Sequence, residues 1–458
     1  MVPRESFNGP LGRVPAVPRR VWSGTTLLAL GRMWGSLCTL AILYMTARHL
    51  ETAAFGRLTF YLAVFLLLDS LADLGTGHAA VQRTANDPDA VPGVLRATRR
   101  IRLATASAGV AIVAAGAFAA GESGAPWIVL ASLYPLTHAL ELSTLVFKNR
   151  IAWSRPVLVR MAASTASLAF VGAFLAAGAR EPALFLLAVA AGSTLGNFGL
   201  HLVALPHLPR GPGVPVALRP VLMAALPMGI AGLCQQTYFY VDNLFIRAIV
   251  GEAELGPYNV AVRVMSYGIM IAVYASLAAL PWLTREHAAG RLAAATEHLV
   301  QPLVALAALG VGLLWPWCEE LLALFGAEFA AAAGSLRFLL CAALAVYVGA
   351  GAMSAIVAAG RSRTLLWIAV LGLAVNLAGN AWLVPRQGAR GAAVATLATE
   401  VTVALAGALV VAHVGGARRA AAVDPRSARR AWLWLAAPAL FFLARWASGF
   451  LPLGGLAP

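Results

Sequence analysis

Charged residues are scarce in this sequence. Only 12% of its 458 residues are charged and 60% are hydrophobic, whereas soluble proteins carry about 25% charged residues. The mean hydropathy is +0.79, so a soluble fold would expose far too much apolar surface to water. Lipid accepts that surface when the backbone hydrogen bonds are satisfied inside helices. The composition therefore excludes an ordinary soluble protein and predicts an all-α polytopic membrane protein.

Residues with reactive chemistry are equally scarce. The four cysteines, Cys38, Cys234, Cys318 and Cys341, lie scattered in apolar segments without the spacing of a metal site, which predicts small buried hydrophobic residues. The sequence contains no Walker motif, metal cluster or nucleophile elbow. We therefore expect no ATP-driven transport within this chain, no cofactor and no enzymatic activity. A membrane glycosyltransferase or ligase stays as an alternative, although the sequence offers no sizeable extracytoplasmic loop for its chemistry.

Apolar segments of the length needed to cross a membrane, about 20 residues, are abundant. They are predicted near residues 25–47, 58–80, 103–120, 127–147, 157–178, 183–205, 221–246, 258–283, 302–324, 334–358, 364–384, 391–413 and 432–450. The proline- and glycine-rich stretch 206–220 cannot continue a helix and therefore forms a linker. We predict an N-terminal lobe of six spans over 1–208, a C-terminal lobe of six spans over 209–413, and a basic loop with one final span over 414–458.

One short motif occurs in both predicted lobes. The stretch Leu50–Leu58 matches Val250–Tyr258 in outline, and each contains a short polar hairpin followed by an apolar residue and a glycine, Gly56 or Gly256. Each stretch joins two long apolar segments, so the two lobes are predicted to be related by pseudo-symmetry. Duplicated halves in membrane proteins are typical of transporters that rock one half against the other around a site between them.

The net charge of +15 is distributed unevenly along the chain. When the N-terminus is placed in the cytoplasm, most of the 34 lysines and arginines fall into loops on the cytoplasmic side. This is the positive-inside pattern, and it places both hairpin motifs on the outer side. The basic charge is therefore interpreted as a topology signal that also attracts anionic membrane lipids. Nucleic acid is not an expected partner.

Four passages along the chain, in a fixed order, resemble a known family. They are Ala47–Leu50 with Phe55–Gly56 and Leu71–Gly75; Tyr240–Asn243 with Gly256–Ala261; Leu324–Phe329; and Val384–Thr396 with Glu400. In this order they resemble the polysaccharide exporter and O-antigen-type flippase branch of the multidrug/oligosaccharidyl-lipid/polysaccharide superfamily. The family usually has an even number of spans, whereas this chain has a single clear segment after the second lobe.

The resemblance implies two six-helix lobes around a central cavity. It implies that a lipid-linked oligosaccharide is moved from the cytoplasmic to the outer leaflet of the bacterial inner membrane, with a polysaccharide polymerase and other assembly proteins as partners. A multidrug or cation antiporter on the same architecture is the alternative.

Acidic residues inside the predicted spans are candidates for coupling transport to an ion, because a charge at the bilayer centre costs roughly 3 kcal/mol. Asp69 and Asp73 lie four residues apart in the second span and share one helical face. Either they are proton or cation sites, or Asp73 holds the helix end before Gly75 while Asp69 bonds a neighbouring helix. Glu400 in the twelfth span is a further candidate.

A polar stripe is predicted on the seventh span. Gln235, Tyr238 and Asp242 occupy positions i, i+3 and i+7 of an apolar segment, so they are expected to face the bundle interior or water. They either hydrogen-bond sugar hydroxyls, with Asp242 also a coupling candidate, or join helices to one another.

Two arginines within spans, Arg32 and Arg263, are candidates for binding a lipid pyrophosphate. The guanidinium group forms bidentate bonds with phosphate oxygens. Asn259, one turn before Arg263, is a further candidate for binding the substrate. The alternative is that both arginine side chains extend towards the lipid headgroups. These two arginines favour an anionic substrate over the cations that an antiporter would take.

Two further polar pairs lie within the spans. His138 and Glu141 stand three apart in the fourth span, where they form either a proton relay or an interhelical hydrogen bond. Asn376 and Asn380 stand four apart in the eleventh span and are interpreted as helix-packing residues.

Overall fold

The computed structural model describes residues 19–84, 88–150, 153–209 and 216–417. Nearly all of these residues are helical, and no strand occurs among them. The prediction of an all-α protein is therefore confirmed. The predicted final span at 432–450 and residues 418–431 of the predicted basic loop lie outside the described residues, whereas 414–417 continue the last helix.

The helices of the first half run from the first span to the linker. They are α1 Arg19–His49, α2 Thr52–Asp73, α3 Thr76–Thr84, α4 Val91–Ala119, α5 Ala125–Ala131, α6 Tyr134–Glu141, α7 Leu145–Arg150, α8 Ser154–Ala176 and α9 Pro182–Ala204. The second half contains α10 Leu218–Tyr240, α11 Asp242–Ile249, α12 Glu252–Ala288, α13 Leu292–Leu314, α14 Cys318–Ala323, α15 Ala333–Ala358 and α16 Ser362–Ala417. Short 3-10 turns connect several of them, including Leu142–Thr144 between α6 and α7.

Within the described ranges, nine helical segments are long and apolar enough to cross a membrane. They match the predicted spans except the first and seventh, which α1 and α10 occupy. Each of these two helices carries a polar candidate: Arg32 in α1 and Gln235 in α10. The last segment contains two predicted spans, because α16 bends at Gly388, whose φ of 59° and ψ of −143° are not helical. The chain is therefore a polytopic membrane protein with the predicted order of spans over the described residues.

Two spans that the sequence predicted as continuous are broken. The second span consists of α2 and α3, separated at Leu74 and Gly75, whose φ values are 40° and 75°. The fourth span consists of α5, α6 and α7, and Pro135 stands at the start of α6, where a missing N–H costs nothing. Interrupted helices inside a membrane are tolerated where they are enclosed by protein or border a polar cavity.

The two halves meet along α2 and α12. A Cβ added at Gly56 would strike the carbonyl oxygen of Glu252, and one added at Gly256 would lie 3.0 Å from the carbonyl oxygen of Thr52. The contact is thus reciprocal, as in a two-fold symmetric interface. The repeated motif of the sequence forms the first turns of α2 and α12, because α1 ends at His49 and α11 ends at Ile249, leaving only two residues before each following helix.

Close packing surrounds this contact. Phe55 and Phe329 are fully buried and meet edge to face, with ring centroids 5.4 Å apart, and Tyr258 is fully buried in the same cluster. Between helices in lipid, close van der Waals packing at small residues replaces the hydrophobic effect as the main attraction. The glycines and aromatic residues therefore fix how α2 lies against α12.

Candidate functional site

A cavity of about 700 Å³ lies within the N-terminal lobe, closed on one side by α10 of the other lobe. Its polar lining consists of Asp69, Ser70, Asp73, Arg102, His138, Glu141, Lys148 and Gln236. A cavity of this size matches those that proteins use for small ligands. The candidates Asp69 and Asp73 both face it, as their shared helical face predicted. We call this space the N-lobe cavity.

The break in the second span lies on the wall of this cavity and is stabilised by Asp73. The Asp73 carboxylate accepts hydrogen bonds from the backbone N–H of Gly75 at 3.2 Å and of Gly77 at 3.4 Å, and it forms an ion pair with Arg102. Arg102 also donates to the Thr76 hydroxyl at 3.0 Å and to the His138 carbonyl oxygen at 3.1 Å. One guanidinium group thus fastens both broken spans to each other.

A second row of charges crosses the cavity from α2 to α8. His138 Nε2 lies 3.5 Å from Asp69 Oδ1, and His138 Nδ1 lies 3.8 Å from Glu141 Oε2. Glu141 is paired with Arg160 at 2.8 Å. Asp69 Oδ1 is buried and has no hydrogen-bond partner within the described residues. The row therefore contains one carboxylate, Asp69, whose charge is not balanced by an arginine.

Sequence reasoning missed the basic side of this cavity. Arg102, Lys148 and Arg160 were counted with the basic residues of the cytoplasmic loops, but they lie on the helices α4, α7 and α8 and not in loops. For Arg102 the physical reason is that α4 begins at Val91, well before its apolar segment. The basic residues next to this span therefore belong to an extension of the helix and not to a loop. The sequence did contain one indication of these basic residues. Asp69 and Asp73 lie in an apolar span, where carboxylates need cationic partners.

The candidate Asp242 lies at the start of α11 in a second polar cluster, within the C-terminal lobe. Its side chain is almost fully buried and accepts hydrogen bonds from the Tyr258 hydroxyl at 2.5 Å, the Thr396 hydroxyl at 2.8 Å and the Asn380 amide at 2.8 Å. Two atoms next to it, Asn380 Oδ1 and Asn376 Nδ2, are buried and have no hydrogen-bond partner within the described residues. The cluster combines a carboxylate, amides and a hydroxyl, which are groups that hard cations accept as ligands.

Gln235 and Tyr238, the other members of the predicted polar stripe, do not belong to the cluster around Asp242. Gln235 is exposed, whereas Tyr238 is buried, and α10 ends at Tyr240, before Asp242. Tyr238 lies close enough to Glu400 for the two to interact electrostatically. Glu400 is itself buried and makes no hydrogen bond or ion pair within the described part of the chain. The neighbour Gln236, which sequence reasoning passed over, borders the N-lobe cavity instead.

The arginine candidates lie along the face between the lobes. Arg32 of α1 donates to the Tyr274 hydroxyl at 2.7 Å, and its guanidinium lies 5.1 Å from the centre of that ring. Arg263 borders a small cleft between α2 and α12 and has no ion-pair partner among the described residues. Arg263 and Tyr274 stand eleven residues apart on α12, which is about 16 Å along a helix. The structure therefore does not bring the two arginines together around one pyrophosphate.

The candidate Asn259 borders the same cleft but is engaged across the lobe interface. Its amide nitrogen donates to the Asn243 side-chain oxygen at 2.6 Å and to the Thr59 hydroxyl of α2 at 3.0 Å. Leu66 lines both the cleft and the N-lobe cavity, so the two spaces are neighbours.

Ion pairs join the lobes at the predicted outer end. Arg57 of α2 contacts Glu252 of α12 at 3.1 Å, and Arg247 of α11 pairs with Glu122 from the loop after α4. Arg247 also contacts Glu252 at 3.0 Å, and Arg57 lies 3.6 Å from Glu122. We call these four side chains the outer ion-pair cluster.

Two helical lobes with a polar cavity, buried charges at membrane depth and a cleft between the lobes define a membrane transport protein. The chain belongs to the polysaccharide biosynthesis protein family, whose sequence model matches residues 21–287. The MatE family model matches residues 227–382. No curated protein sequence matches the chain.

Solved structures with the same fold come from the MOP superfamily. An inward-facing multidrug resistance transporter of the MATE family has a TM-score of 0.70 at 13% identity, over 87% of this chain and 100% of the other. The lipid II flippase MurJ in an inward closed conformation also has a TM-score of 0.70, at 12% identity, over 94% of this chain and 93% of the other. A MOP superfamily transporter from Pyrococcus furiosus has a TM-score of 0.59 at 13% identity, over 87% and 94%. These solved structures share the fold of this chain.

Proposed function

We propose that this protein moves a lipid-linked oligosaccharide across the bacterial inner membrane during polysaccharide biosynthesis, by alternating access between its two lobes. The observation that carries the proposal is Arg263, an arginine without an ion-pair partner among the described residues, in the cleft between the lobes. The family supports a polysaccharide precursor as the cargo. MurJ, which has the same fold, is by its name a flippase for a lipid.

The cargo is held in the cleft and the neighbouring cavity. The guanidinium of Arg263 binds the pyrophosphate, and Arg32, nearer the predicted inner end, meets it earlier on its path. Gln235 and Tyr238 contact sugar hydroxyls. Asn259 holds the lobes together through Thr59 and is released when they separate. The acyl chain stays in the lipid, and the polymerase and other assembly proteins receive the glycan on the outer side.

The energy for this movement comes from an ion gradient. Asp242 is the principal coupling site, because its carboxylate is surrounded by Asn376, Asn380 and Thr396, and the unpartnered Asn380 Oδ1 is available as a further oxygen ligand. Sodium or a proton would bind there. Asp69 and Glu400 are further coupling candidates, whereas Asp73 stabilises the break in the second span through Arg102.

The test of this function is a flippase assay with purified protein in liposomes that contain a fluorescent lipid-linked oligosaccharide. Wild-type protein is expected to move the lipid to the other leaflet. Arg263→Ala is expected to lower the rate at least tenfold, since a bidentate pyrophosphate contact contributes more than about 1.5 kcal/mol. Arg263→Lys, which keeps the charge but loses the planar fork, is expected to fall between the two.

Arg180→Ala is the matched control, because Arg180 is exposed and makes no ion pair in the part of the chain that is described. It should transport at the wild-type rate. Absence of any lipid movement by the wild-type protein would contradict the assignment.

A multidrug or cation antiporter is the second candidate, favoured by the MatE match and by the MATE structures. The two functions differ in the effect of Arg263→Ala in cells. Loss of polysaccharide export supports the flippase, whereas altered resistance to cationic dyes with normal export supports the antiporter. Sugar transfer by the isolated protein would instead support a glycosyltransferase or ligase.

A further inference from the structure

The charges around the N-lobe cavity are paired except for two. Asp73 pairs with Arg102, and Glu141 pairs with Arg160. The carboxylate of Asp69 and the ammonium group of Lys148 remain. Lys148 makes no hydrogen bond or ion pair within the described residues, so its ammonium group is available to a ligand in the cavity.

The other unpaired group, Asp69, opposes a negative ligand unless it is neutralised. Two titratable side chains of α6 lie against it: the Tyr134 hydroxyl and His138, whose Nε2 lies 3.5 Å from the buried Asp69 Oδ1. Of these two, the imidazole is the one that exchanges a proton near neutral pH. A proton on either group neutralises the pair: it sits on the carboxyl beside a neutral imidazole, or on the imidazole beside a carboxylate. In either form, the buried Asp69 Oδ1 shares a hydrogen bond with His138 Nε2.

We propose that the N-lobe cavity binds the pyrophosphate diester of the cargo together with one proton, with the anion beside Lys148 and the proton between Asp69 and His138. The inference rests on the proposed function for the identity of the anion. It adds a second anion site to the one at Arg263 and assigns His138 as the residue that links anion binding to protons.

The net charge of the cavity explains why the anion and the proton bind together. The groups that face it are Asp69 and Asp73 on α2, Arg102 on α4, His138 and Glu141 on α6, Lys148 on α7, Arg160 through Glu141 from α8, and the neutral Gln236 on α10. Without the extra proton, three carboxylates face three cationic groups, and the cavity carries no net charge. With the proton, it carries one net positive charge. An anion therefore binds the protonated cavity more tightly, and by linkage its binding raises proton uptake.

The cavity lies in the path of the cargo. Leu66 lines both this cavity and the cleft of Arg263, so the two spaces are adjacent, and in the proposed cycle the anion moves from Lys148 to Arg263. When it does, the carboxylate of Asp69 no longer faces an anion, and the proton is free to leave. Proton release is thereby tied to the forward step of the head group.

The experiment is calorimetric titration of the purified full chain with uridine diphosphate glucose. This soluble probe contains a pyrophosphate diester whose charge stays constant between about pH 6 and pH 8, so any proton uptake belongs to the protein. Titrations in two buffers of different ionisation enthalpy give the number of protons bound. The expected result is roughly one proton per probe molecule at intermediate pH and about tenfold tighter binding at pH 6 than at pH 8.

Three variants test the position of the anion and the position of the proton separately. Lys148→Gln is expected to weaken binding at both pH values by about tenfold, because it removes the free cation. His138→Gln is expected to abolish the proton uptake. Asp69→Asn resembles the protonated carboxyl, so it should bind the probe at pH 8 as tightly as the wild type does at pH 6. This gain in affinity cannot result from misfolding.

His298→Gln is the matched control, because His298 is an exposed histidine on α13 that bonds only its own helix. It should retain both proton uptake and affinity. Adenosine diphosphate glucose should give the same result as the uridine compound, since the pyrophosphate and not the base is recognised.

Two results would overturn the inference: no binding of the probe to the wild type, or proton uptake that persists in both Asp69→Asn and His138→Gln. The proposed function fails differently. A protein that binds the probe with proton uptake but moves no lipid-linked oligosaccharide refutes the flippase and leaves the proton-linked anion site standing.

Discussion

At the scale of single residues, Arg102, which was not a candidate from the sequence, connects three segments of the N-terminal lobe. Its side chain is only 6% exposed and contacts Asp73, Thr76 and the backbone of His138. Through these contacts it holds the ends of α2, α3 and α6 in place around the cavity. Arg102 is therefore a positioning residue, which acts on the site through the broken helices.

Replacing Arg102 by alanine is expected to destabilise the protein by about 2–3 kcal/mol. Breaking a buried ion pair costs more than this, but Asp73 is 36% exposed and keeps part of its hydration. Thermal unfolding in detergent would measure the change. Arg100→Ala, at an exposed position two residues away on α4, is the control and should be neutral. Adding Asp73→Asn to Arg102→Ala should recover part of the loss, and a strictly additive double variant would contradict the pairing.

At the scale of elements, the decisive feature is the break between α2 and α3. Gly75 has a φ of 75°, and a Cβ there would lie 2.5 Å from the carbonyl oxygen of Ala225 on α10. The break thus brings the second span into direct backbone contact with the first helix of the other lobe. Any movement of the lobes must be accommodated at this contact.

Gly75→Ala should therefore lower the thermal stability strongly. The left-handed conformation costs an alanine roughly 1–2 kcal/mol, and the contact with α10 adds a clash. Gly116→Ala is the matched control: Gly116 lies inside α4 with nothing near its added Cβ, so this variant should be neutral or more stable by up to about 1 kcal/mol. Equal unfolding temperatures for the two variants would show that the break is not constrained.

The helices and their breaks differ in how well they could be predicted from the sequence. The order of the spans follows from apolar length, and the contact of α2 with α12 follows from the repeated glycines. The break at Leu74 does not follow, because a leucine with a positive φ is uncommon and the groups that hold it, Arg102 and the backbone of α10, come from distant parts of the chain. Gly75 and the acid before it, Asp73, were visible in the sequence, and the interpretation that Asp73 holds this helix end agrees with its two backbone hydrogen bonds.

The candidate site was predictable only in part for a similar reason. Asp69 and Asp73 stood out because acids are costly in a span, whereas Arg102 and Lys148 resembled the basic loops that every polytopic protein has. The positive-inside pattern counts charges near span ends and does not distinguish a loop from a helix that extends beyond the apolar segment. The interlobe positions of Arg32 and Arg263 needed the helix register, which composition does not supply.

At the scale of the whole molecule, the lobes are joined most firmly at the predicted outer end. The Gly56 and Gly256 contact and the outer ion-pair cluster lie together there. Opening the cavity to that side requires the cluster to separate, because Arg57 and Arg247 each bond a carboxylate of the opposite lobe.

Fixing the cluster should stop transport. The variant carrying Arg57→Cys and Glu252→Cys, treated with a short thiol-specific cross-linker, is expected to lose at least nine-tenths of its flippase activity and to regain it when a cleavable linker is reduced. The backbones lie close together here, because a Cβ added at Gly56 would strike the carbonyl oxygen of Glu252, so a short linker spans the two thiols. Each single cysteine variant, treated identically, is the control. Undiminished lipid movement by the cross-linked protein would show that the outer end does not open.

The reciprocal contact of Gly56 and Gly256 has a further consequence. A self-complementary face of this kind lets one copy of a lobe bind a second copy of itself, so the chain has the geometry of a homodimer whose halves have been fused. A true homodimer would contain every site twice. Here the charged cavity lies mainly in the first half and the buried Asp242 cluster in the second, so the polar interiors of the two halves have diverged while the face that joins them has stayed reciprocal.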